Sequence, residues 1–376
     1  MSTGAQRLKV AFVFISMPVG GAEDFALTVA RHLPAAVAPV FVCLRSLGAI
    51  GEELRASGGD IHLLPIAPGK RWNVAGVWKF GRWLREHGVA VVHSQTYNAH
   101  TYAIPAARVA GCASILHQQK TLEPLRPHRR WIMRGLCALA TKVVALSERT
   151  RLDLARTFRV PESRSLTVPN VVDRSAFRPA ADRRAVRRSL GLDEDGFLLG
   201  GVASLHEVKN HEATLRMLAA LRANGVDFRA LLIGEGKSRA RLEGLAAELK
   251  LGAQLTLVGA RRPVLPWLQA LDLLVLPSLW EGQPMILLQA MACGVPIVAS
   301  RIEGNIAALG DAHPGLFTLE GPEAYRRVVQ RVAGDAAFRD AILAQQRAVS
   351  AAQPDAPEIA ARLADLYRDL AERRPA

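Results

Sequence analysis

Apolar residues in this chain fall into short runs separated by segments of helical spacing. Runs at 9–16, 40–44, 60–64, 90–93, 114–116 and 142–146 in the first half read as strands, as do 197–203, 230–234, 254–259, 271–276 and 295–300 in the second. Helical spacing appears at 25–32 and 74–87, and again at 322–333, 338–348 and 357–372. Strands alternating with helices predict an α/β chain with parallel sheets, here in two αβ halves. The stretch around 271–300 carries the clearest punctuation. The run 271–276 is broken only by Asp272, ends at Pro277, and opens its C-terminal end onto the ligand edge of such a sheet. Pro284 suits the first helical position, 285–292 is rich in helix formers, and Gly294 supplies the stop. That helix start offers free amides and a positive dipole end beside Trp280, Glu281 and Gly282, which is an anion site.

The residues 280–300, WEGQPMILLQAMACGVPIVAS, resemble the donor-binding signature of the retaining GT-B nucleotide-sugar glycosyltransferases of family 4, the glycosyl transferases group 1. That signature has two glutamates eight positions apart; Glu281 fills the first place and Gln289 the second. The resemblance implies that Glu281 lies at the transferred sugar and Gln289 at the ribose hydroxyls, with Gly282, Gln283, Pro284 and Met285 lining the donor. An amide in place of a carboxylate removes one charged acceptor, a loss on the order of 1 kcal/mol.

Other segments carry the same resemblance. At a strand-to-helix turn, MPVGGAE places Gly20 and Gly21 where the backbone can approach a phosphate, although a tight turn without a ligand reads identically. The family's GGAE lies beside the donor diphosphate, which implies that role for Gly20 and Gly21. Lys209 stands where the family's ammonium neutralises the diphosphate, while Ser204 and His206 fill the places of the arginine that usually assists it. Gly234 and Glu235 belong to an LxGxG element implied to lie near the nucleotide. Arg239 replaces the third glycine of a dinucleotide fingerprint there, which argues against NAD. Gly259 and Arg261 correspond to the strand and loop that meet the base.

On the acceptor side, VVHSQTYNAH places His93 at a strand end and Gln95 where family members commonly have a second histidine. Gln95 cannot shuttle a proton near neutral pH. His93, His100 and His117 read either as acceptor contacts or as packed, hydrogen-bonded residues, with Gln118, Gln119 and Lys120 as further acceptor contacts. In NVVDRSAF, Asn170, Asp173 and Phe177 match the family and Val171 replaces its usual glycine, so the interdomain linker is placed at 170–179. The implied fold is GT-B, with two Rossmann-like β/α/β domains and an interdomain cleft. The expected division is an acceptor-side domain at 1–172, a nucleotide-sugar domain at 173–356, and a C-terminal helix at 357–376 crossing back to the N-terminal domain.

Composition narrows the setting. The chain has 376 residues, more than one core usually holds, and no apolar run reaches the ~20 residues of a membrane span. Residues 10–22, behind Arg7 and Lys9, imitate a secretory signal but break at Pro18. Cys43, Cys112, Cys137 and Cys293 show no CxxC spacing and read as reduced core residues of a cytoplasmic protein. The formal charge of +14 admits nucleic acid, an anionic membrane, or no specific partner. No zinc-finger, RNP-like or KH-type signature accompanies it, so nucleic acid ranks last. The segment 126–139 mixes Arg126, Arg129, Arg130 and Arg134 with Trp131 and Ile132, as a helix in a lipid interface does; an ordinary basic surface helix reads the same way. The arginine-rich 182–188 reads as a solvated helix face, and Asp193 and Asp195 as turn residues. No metal site is expected.

The resemblance implies a metal-independent glycosyltransferase, with Glu281 and Lys209 as its catalytic residues. It would move sugar with retention from a UDP- or GDP-linked donor, without further cofactor, to a glycan or polyprenyl-linked acceptor in cell-surface polysaccharide or lipopolysaccharide biosynthesis. Its expected place is the cytoplasm or the inner face of the cytoplasmic membrane. A noncatalytic homologue, serving as nucleotide-sugar sensor or assembly subunit, is the rival reading. Gln95, Gln289 and the missing arginine favour it.

Overall fold

The computed structural model describes residues 7–66, 73–118 and 127–373; Gln119, Lys120 and Arg126 lie outside them. The chain divides into two compact units, one of residues 1–171 with 355–376 and the other of residues 172–354.

The first unit alternates strand and helix: β1 (Leu8–Phe14), α1 (Gly21–His32), β2 (Val37–Cys43), α2 (Gly48–Ala56), β3 (Ile61–Leu63), α3 (Val74–Glu86), β4 (Val91–Ser94), α4 (Tyr97–Ala110), β5 (Ala113–Gln118), α5 (Pro127–Leu139), β6 (Lys142–Ala145), α6 (Glu148–Phe158) and β7 (Ser165–Thr167). The seven strands form one parallel sheet in the order β3-β2-β1-β4-β5-β6-β7. The order reverses direction between β1 and β4, so the C-terminal ends of those two strands flank the unit's topological switch point. Successive residues of β1 face opposite sides of the sheet. Val10, Phe12 and Phe14 pack with Phe25 and Val29 of α1, whereas Ala11 and Val13 pack with Phe80 and Leu84 of α3 and Ala103 of α4.

The second unit contains α7 (Arg183–Ser189), β8 (Leu198–Val202), α8 (His211–Ala223), β9 (Arg229–Ile233), α9 (Arg239–Glu248), β10 (Leu255–Gly259), α10 (Leu265–Ala270), β11 (Leu273–Leu276), α11 (Met285–Ala292), β12 (Ile297–Ser300), α12 (Glu303–Leu309), β13 (Leu316–Phe317), α13 (Pro322–Gly334) and α14 (Ala336–Ala352). Its six strands are again parallel, in the order β10-β9-β8-β11-β12-β13, with the switch point between β8 and β11. Leu273 and Val275 face a core built with α8 and α13, while Leu274 and Leu276 face one built with α11 and α12.

The last helix, α15 (Ala356–Glu372), belongs to the first unit. Its Ile359, Leu363, Tyr367 and Leu370 recur at helical spacing and join the β1 and α1 side of that unit's core.

Several helix starts are capped by side chains named for that purpose by their chemistry. Ser147 Oγ accepts from Thr150 N at 3.2 Å, and Asp182 Oδ1 from Ala185 N at 3.0 Å. Pro284 stands one place earlier than its ring favours in sequence: it is the extended N-cap of α11, with φ −70° and ψ 122°, and Met285 is the first helical residue. Gly294 ends that helix with φ +67°, the left-handed conformation in which glycine has no Cβ penalty.

Arg187 departs from the solvated face expected of 182–188. It is buried, and its guanidinium donates to the carbonyls of Ala270, Glu194 and Gly196 and to Asp272 Oδ2, the last at 2.6 Å. Five donors on one planar group let it gather partners from two segments, 194–196 and 270–272, which a charge on a solvent face would not do.

Candidate functional site

The loops leaving β8 and β11 at the switch point of the second unit bring together the residues with the most telling chemistry. After β8, Ser204 to Lys209 ends in a single 3-10 turn at Glu207–Lys209, and Asn210 then takes a left-handed conformation before α8 begins. After β11, Ser278 to Gln283 approaches the start of α11. The two loops are joined twice. Leu279 N donates to Val208 O at 2.8 Å, and Lys209 Nζ donates to Glu281 Oε1 at 2.6 Å. Glu281 is 9% exposed, so its ion pair is largely removed from water and screened less than a surface pair. Ser278 Oγ donates to the same carboxylate oxygen at 2.7 Å.

Beside this pair, Gln283 Nε2 donates to Ala307 O of α12 at 3.3 Å. Gln289 is buried about one turn into α11, as is Met285 at its first position. Gly304 allows α12 to pack on the site loop, since a Cβ there would lie 2.4 Å from Glu281 O and 2.5 Å from Gly282 O. Gly234 is required by an equally close approach: its Cβ would fall 1.9 Å from Ala203 O, at the end of the neighbouring strand β8.

The remaining sequence candidates of this unit line the same sheet edge with other partners. Glu235 is exposed and bound by Arg239 Nη1 at 2.6 Å, and its carboxylate lies against Gly259. Arg261 is exposed and its guanidinium sits 5.8 Å from the Trp267 ring centre. His206 is exposed, and Ser204 presents its carbonyl to His211 Nε2 at 3.2 Å. Asp193 and Asp195 precede β8 and so lie at the opposite edge, paired with Arg229 and Arg184. Among the described residues, no group of three or more His, Cys, Asp or Glu side chains is arranged to hold a metal ion.

In the first unit the candidates divide. Gly20 is the N-cap of α1, and the place its Cβ would take lies 2.6 Å from Glu23 Oε2. The space beside Gly20 therefore holds a carboxylate of the chain itself, at the third helical position from which a glutamate reaches back to its own N-cap. Sequence reading singled out the glycines and passed over Glu23, although the pattern of an acidic residue three places after a cap was present.

His93 and His117, expected on the acceptor side, occupy a different place. Both are fully buried on the sheet face where Phe25 of α1 packs on His117 and Tyr367 of α15 on His93, and their ring nitrogens are engaged. His117 donates one ring N–H to the backbone of Val168, and its Nδ1 lies 3.1 Å from His93 Nε2. A neutral imidazole has one donor and one acceptor, so His117 Nδ1 accepts, His93 Nε2 donates, and His93 Nδ1 accepts from the Tyr367 hydroxyl at 2.7 Å. The result is a directed chain from α15 through β4 and β5 to the segment after β7. It serves packing, because a proton added to either ring would be a charge buried away from water. Burial holds His117 down at about 3 and His93 well below its ordinary value. His100 Nδ1 lies 2.7 Å from Ser94 Oγ and is likewise pushed down to about 3 by burial. Gln95 is also fully buried.

Three of the four cysteines, Cys43, Cys137 and Cys293, are buried with thiols pushed up to about 12 by burial, which leaves them inert. On α5, Met133, Leu136 and Cys137 face the core, whereas Trp131 is 70% exposed and Ile132 45%. Arg129 lies over the Tyr97 ring and Arg134 over Trp131.

Two family models match the chain: Glycosyl transferases group 1 over residues 182–369 and Glycosyltransferase Family 4 over residues 19–176. The chain is similar to "Putative glycosyltransferase EpsF" of Bacillus subtilis (strain 168), with 28% identity over 84% of each chain. It is also similar to the UDP-Gal:alpha-D-GlcNAc-diphosphoundecaprenol alpha-1,3-galactosyltransferase of Escherichia coli, with 24% identity over 67% of this chain and 68% of the other. Among solved structures, Anabaena HepE in complex with UDP and glucose superposes with a TM-score of 0.83 at 18% identity, covering 96% of this chain and 100% of that one. At that identity the likeness speaks for the fold, two parallel-sheet Rossmann-like domains as in GT-B enzymes. The chain belongs to the glycosyl transferases group 1 family and is a glycosyltransferase.

Proposed function

We propose that this enzyme moves a sugar from a UDP- or GDP-linked donor, with retention of configuration and without a metal, to a glycan or lipid-linked acceptor in cell-surface polysaccharide or lipopolysaccharide assembly. The observation that carries the reading is the Lys209 and Glu281 pair, 2.6 Å apart and mostly buried, at the head of α11. An ammonium and the amides at the helix start offer positive charge where a departing diphosphate would develop its own negative charge. The Glu281 carboxylate accepts from hydroxyl groups, which suits a hexose. Gln289, as an amide, would hold the ribose with fewer charged contacts.

With His93 and His117 neutral and engaged in their own chain, neither is poised as a base for the acceptor. The reaction then follows the course in which the acceptor hydroxyl attacks the face that the leaving group vacates, and a donor phosphate oxygen takes its proton. Arg129, Arg130, Trp131 and Arg134 would hold the enzyme against an anionic bilayer if the acceptor is lipid-linked.

The test is turnover of UDP-glucose, UDP-galactose and GDP-mannose by the purified chain, with the anomeric product read by NMR. Lys209→Ala is expected to lower kcat/KM on the order of a hundredfold, as loss of one preorganised charge at a leaving group does. An inverted product would refute retention, and undiminished turnover by Lys209→Ala would refute the site.

A further inference from the structure

The geometry of Glu281 is set from behind. Its Oε1 receives two donors, the Lys209 ammonium at 2.6 Å and the Ser278 hydroxyl at 2.7 Å. Ser278 O in turn accepts from Ser300 Oγ at 2.5 Å. Asn305 Nδ2 donates to Ser300 Oγ at 3.1 Å and to Ser300 O at 2.8 Å. Ser278, Ser300 and Asn305 are all fully buried, and they come from the end of β11, the end of β12 and α12. The proton order follows from chemistry: an amide nitrogen can only donate, so Ser300 Oγ accepts from it and gives its own proton to the Ser278 carbonyl. A carboxylate can only accept, so the Ser278 proton points at Glu281. Gly304 and the Gln283 contact to Ala307 hold the same loop against α12 a second and third time.

A serine at 278 is more than the core requires. Alanine would fill the space without a hydroxyl to satisfy, and buried hydroxyls are kept where their hydrogen bond is used. A glutamate side chain has three rotatable bonds, and its freedom is lost either on folding or on binding the donor. Here a hydroxyl and an ammonium fix one oxygen in advance.

We propose that Ser278 is a positioning residue for sugar transfer: its hydroxyl, carried on a backbone that Ser300 and Asn305 hold in place, aims the Glu281 carboxylate before the donor arrives. This rests on the reading of Glu281 and Lys209 as donor groups. It predicts an effect exerted through Glu281 and through nothing else.

The experiment measures kcat and KM for UDP-glucose with the full chain, and UDP affinity by calorimetry. GDP-mannose and GDP replace them if UDP does not bind. Ser278→Ala is expected to lower kcat roughly ten- to a hundredfold, the rate equivalent of one hydrogen bond to a charged group, with UDP affinity within about threefold of wild type. Ser278→Thr, which keeps the hydroxyl, is expected to recover most of that rate. In a Glu281→Gln background the same Ser278→Ala change is expected to add less than about twofold, because its route of action is already gone. A purely structural serine would lower the melting temperature and multiply its loss onto Glu281→Gln; that result, or wild-type kcat in Ser278→Ala, overturns the inference. Ser300→Ala, one link further back, serves if Ser278→Ala does not fold, and a kcat equal to wild type there overturns it too. A wild-type enzyme that binds neither nucleotide and turns over neither donor would instead remove the functional reading on which this one stands.

Discussion

Acid should undo the first unit before the second. His93, His100 and His117 are all fully buried there. Burial, the largest cause, brings His100 and His117 from the ordinary 6.5 down to about 3, and takes His93 well below 6.5 as well. Neighbouring imidazoles push His93 and His100 the same way. Unfolding returns each ring to water and to its ordinary affinity for protons. Below pH 6.5 the unfolded chain therefore binds protons that the folded unit refuses. Stability is complete above that pH and is lost as pH falls toward 3. Each buried ring costs about 1.4 kcal/mol per pH unit in this window, so at pH 5 one ring costs about 2 kcal/mol and three cost about 6. A domain has only about 5–15 kcal/mol in total. The second unit holds two such rings, His211 and His313, both brought down to about 4 chiefly by burial, and its loss at pH 5 is correspondingly about 4 kcal/mol. Urea unfolding from pH 7.5 to 5.0, with hydrogen-exchange mass spectrometry assigning the transitions to the two units, measures both slopes. The first unit should show a flat plateau above pH 7 and approach three protons per molecule below pH 6. A first-unit midpoint that stays constant down to pH 5.0, or a slope below one proton, would refute the reasoning.

Two further outcomes are expected. Asp272 Oδ2 accepts from Arg187 Nη2 at 2.6 Å and from Leu198 N at 2.8 Å, and the Arg187 side chain is 4% exposed. Asp272→Ala should therefore cost about 3–5 kcal/mol by stranding a buried guanidinium, seen as a lower melting temperature of the second unit, and an unchanged melt would contradict the pairing. Flotation with anionic vesicles should be weakened by Arg129→Glu combined with Arg130→Glu and by salt; equal flotation of the double variant would count against a lipid-facing α5.

Local chemistry made part of this enzyme readable in advance. The strand β11, the helix α11 and the stop at Gly294 each follow from an apolar run, a proline and a glycine within a few residues. Lys209 and Glu281 could be named one by one, yet their contact joins loops 72 residues apart, which no local pattern encodes. The same distance in sequence hid Arg187, whose carboxylate partner lies 85 residues on, and His93, whose hydroxyl partner lies 274 residues on. A histidine at a strand end looks alike whether it meets a substrate or a tyrosine. The helix α4 was obscured by Pro105 within it. Its other residues, rich in alanine, nevertheless pack on both α3 and α5.

The helix that completes the first unit comes last in the chain. Roughly 180 residues separate position 171 from the start of that terminal segment. At about 5–20 residues per second, a ribosome needs on the order of ten to forty seconds to deliver it. During that interval Phe12, Phe25 and the ring of His93 have no Tyr367 or Leu363 to cover them. The second unit can close while the first is still waiting. Nascent chains of this enzyme should accordingly be chaperone clients late in synthesis, and a fragment ending near residue 171 should come out of cells as aggregate.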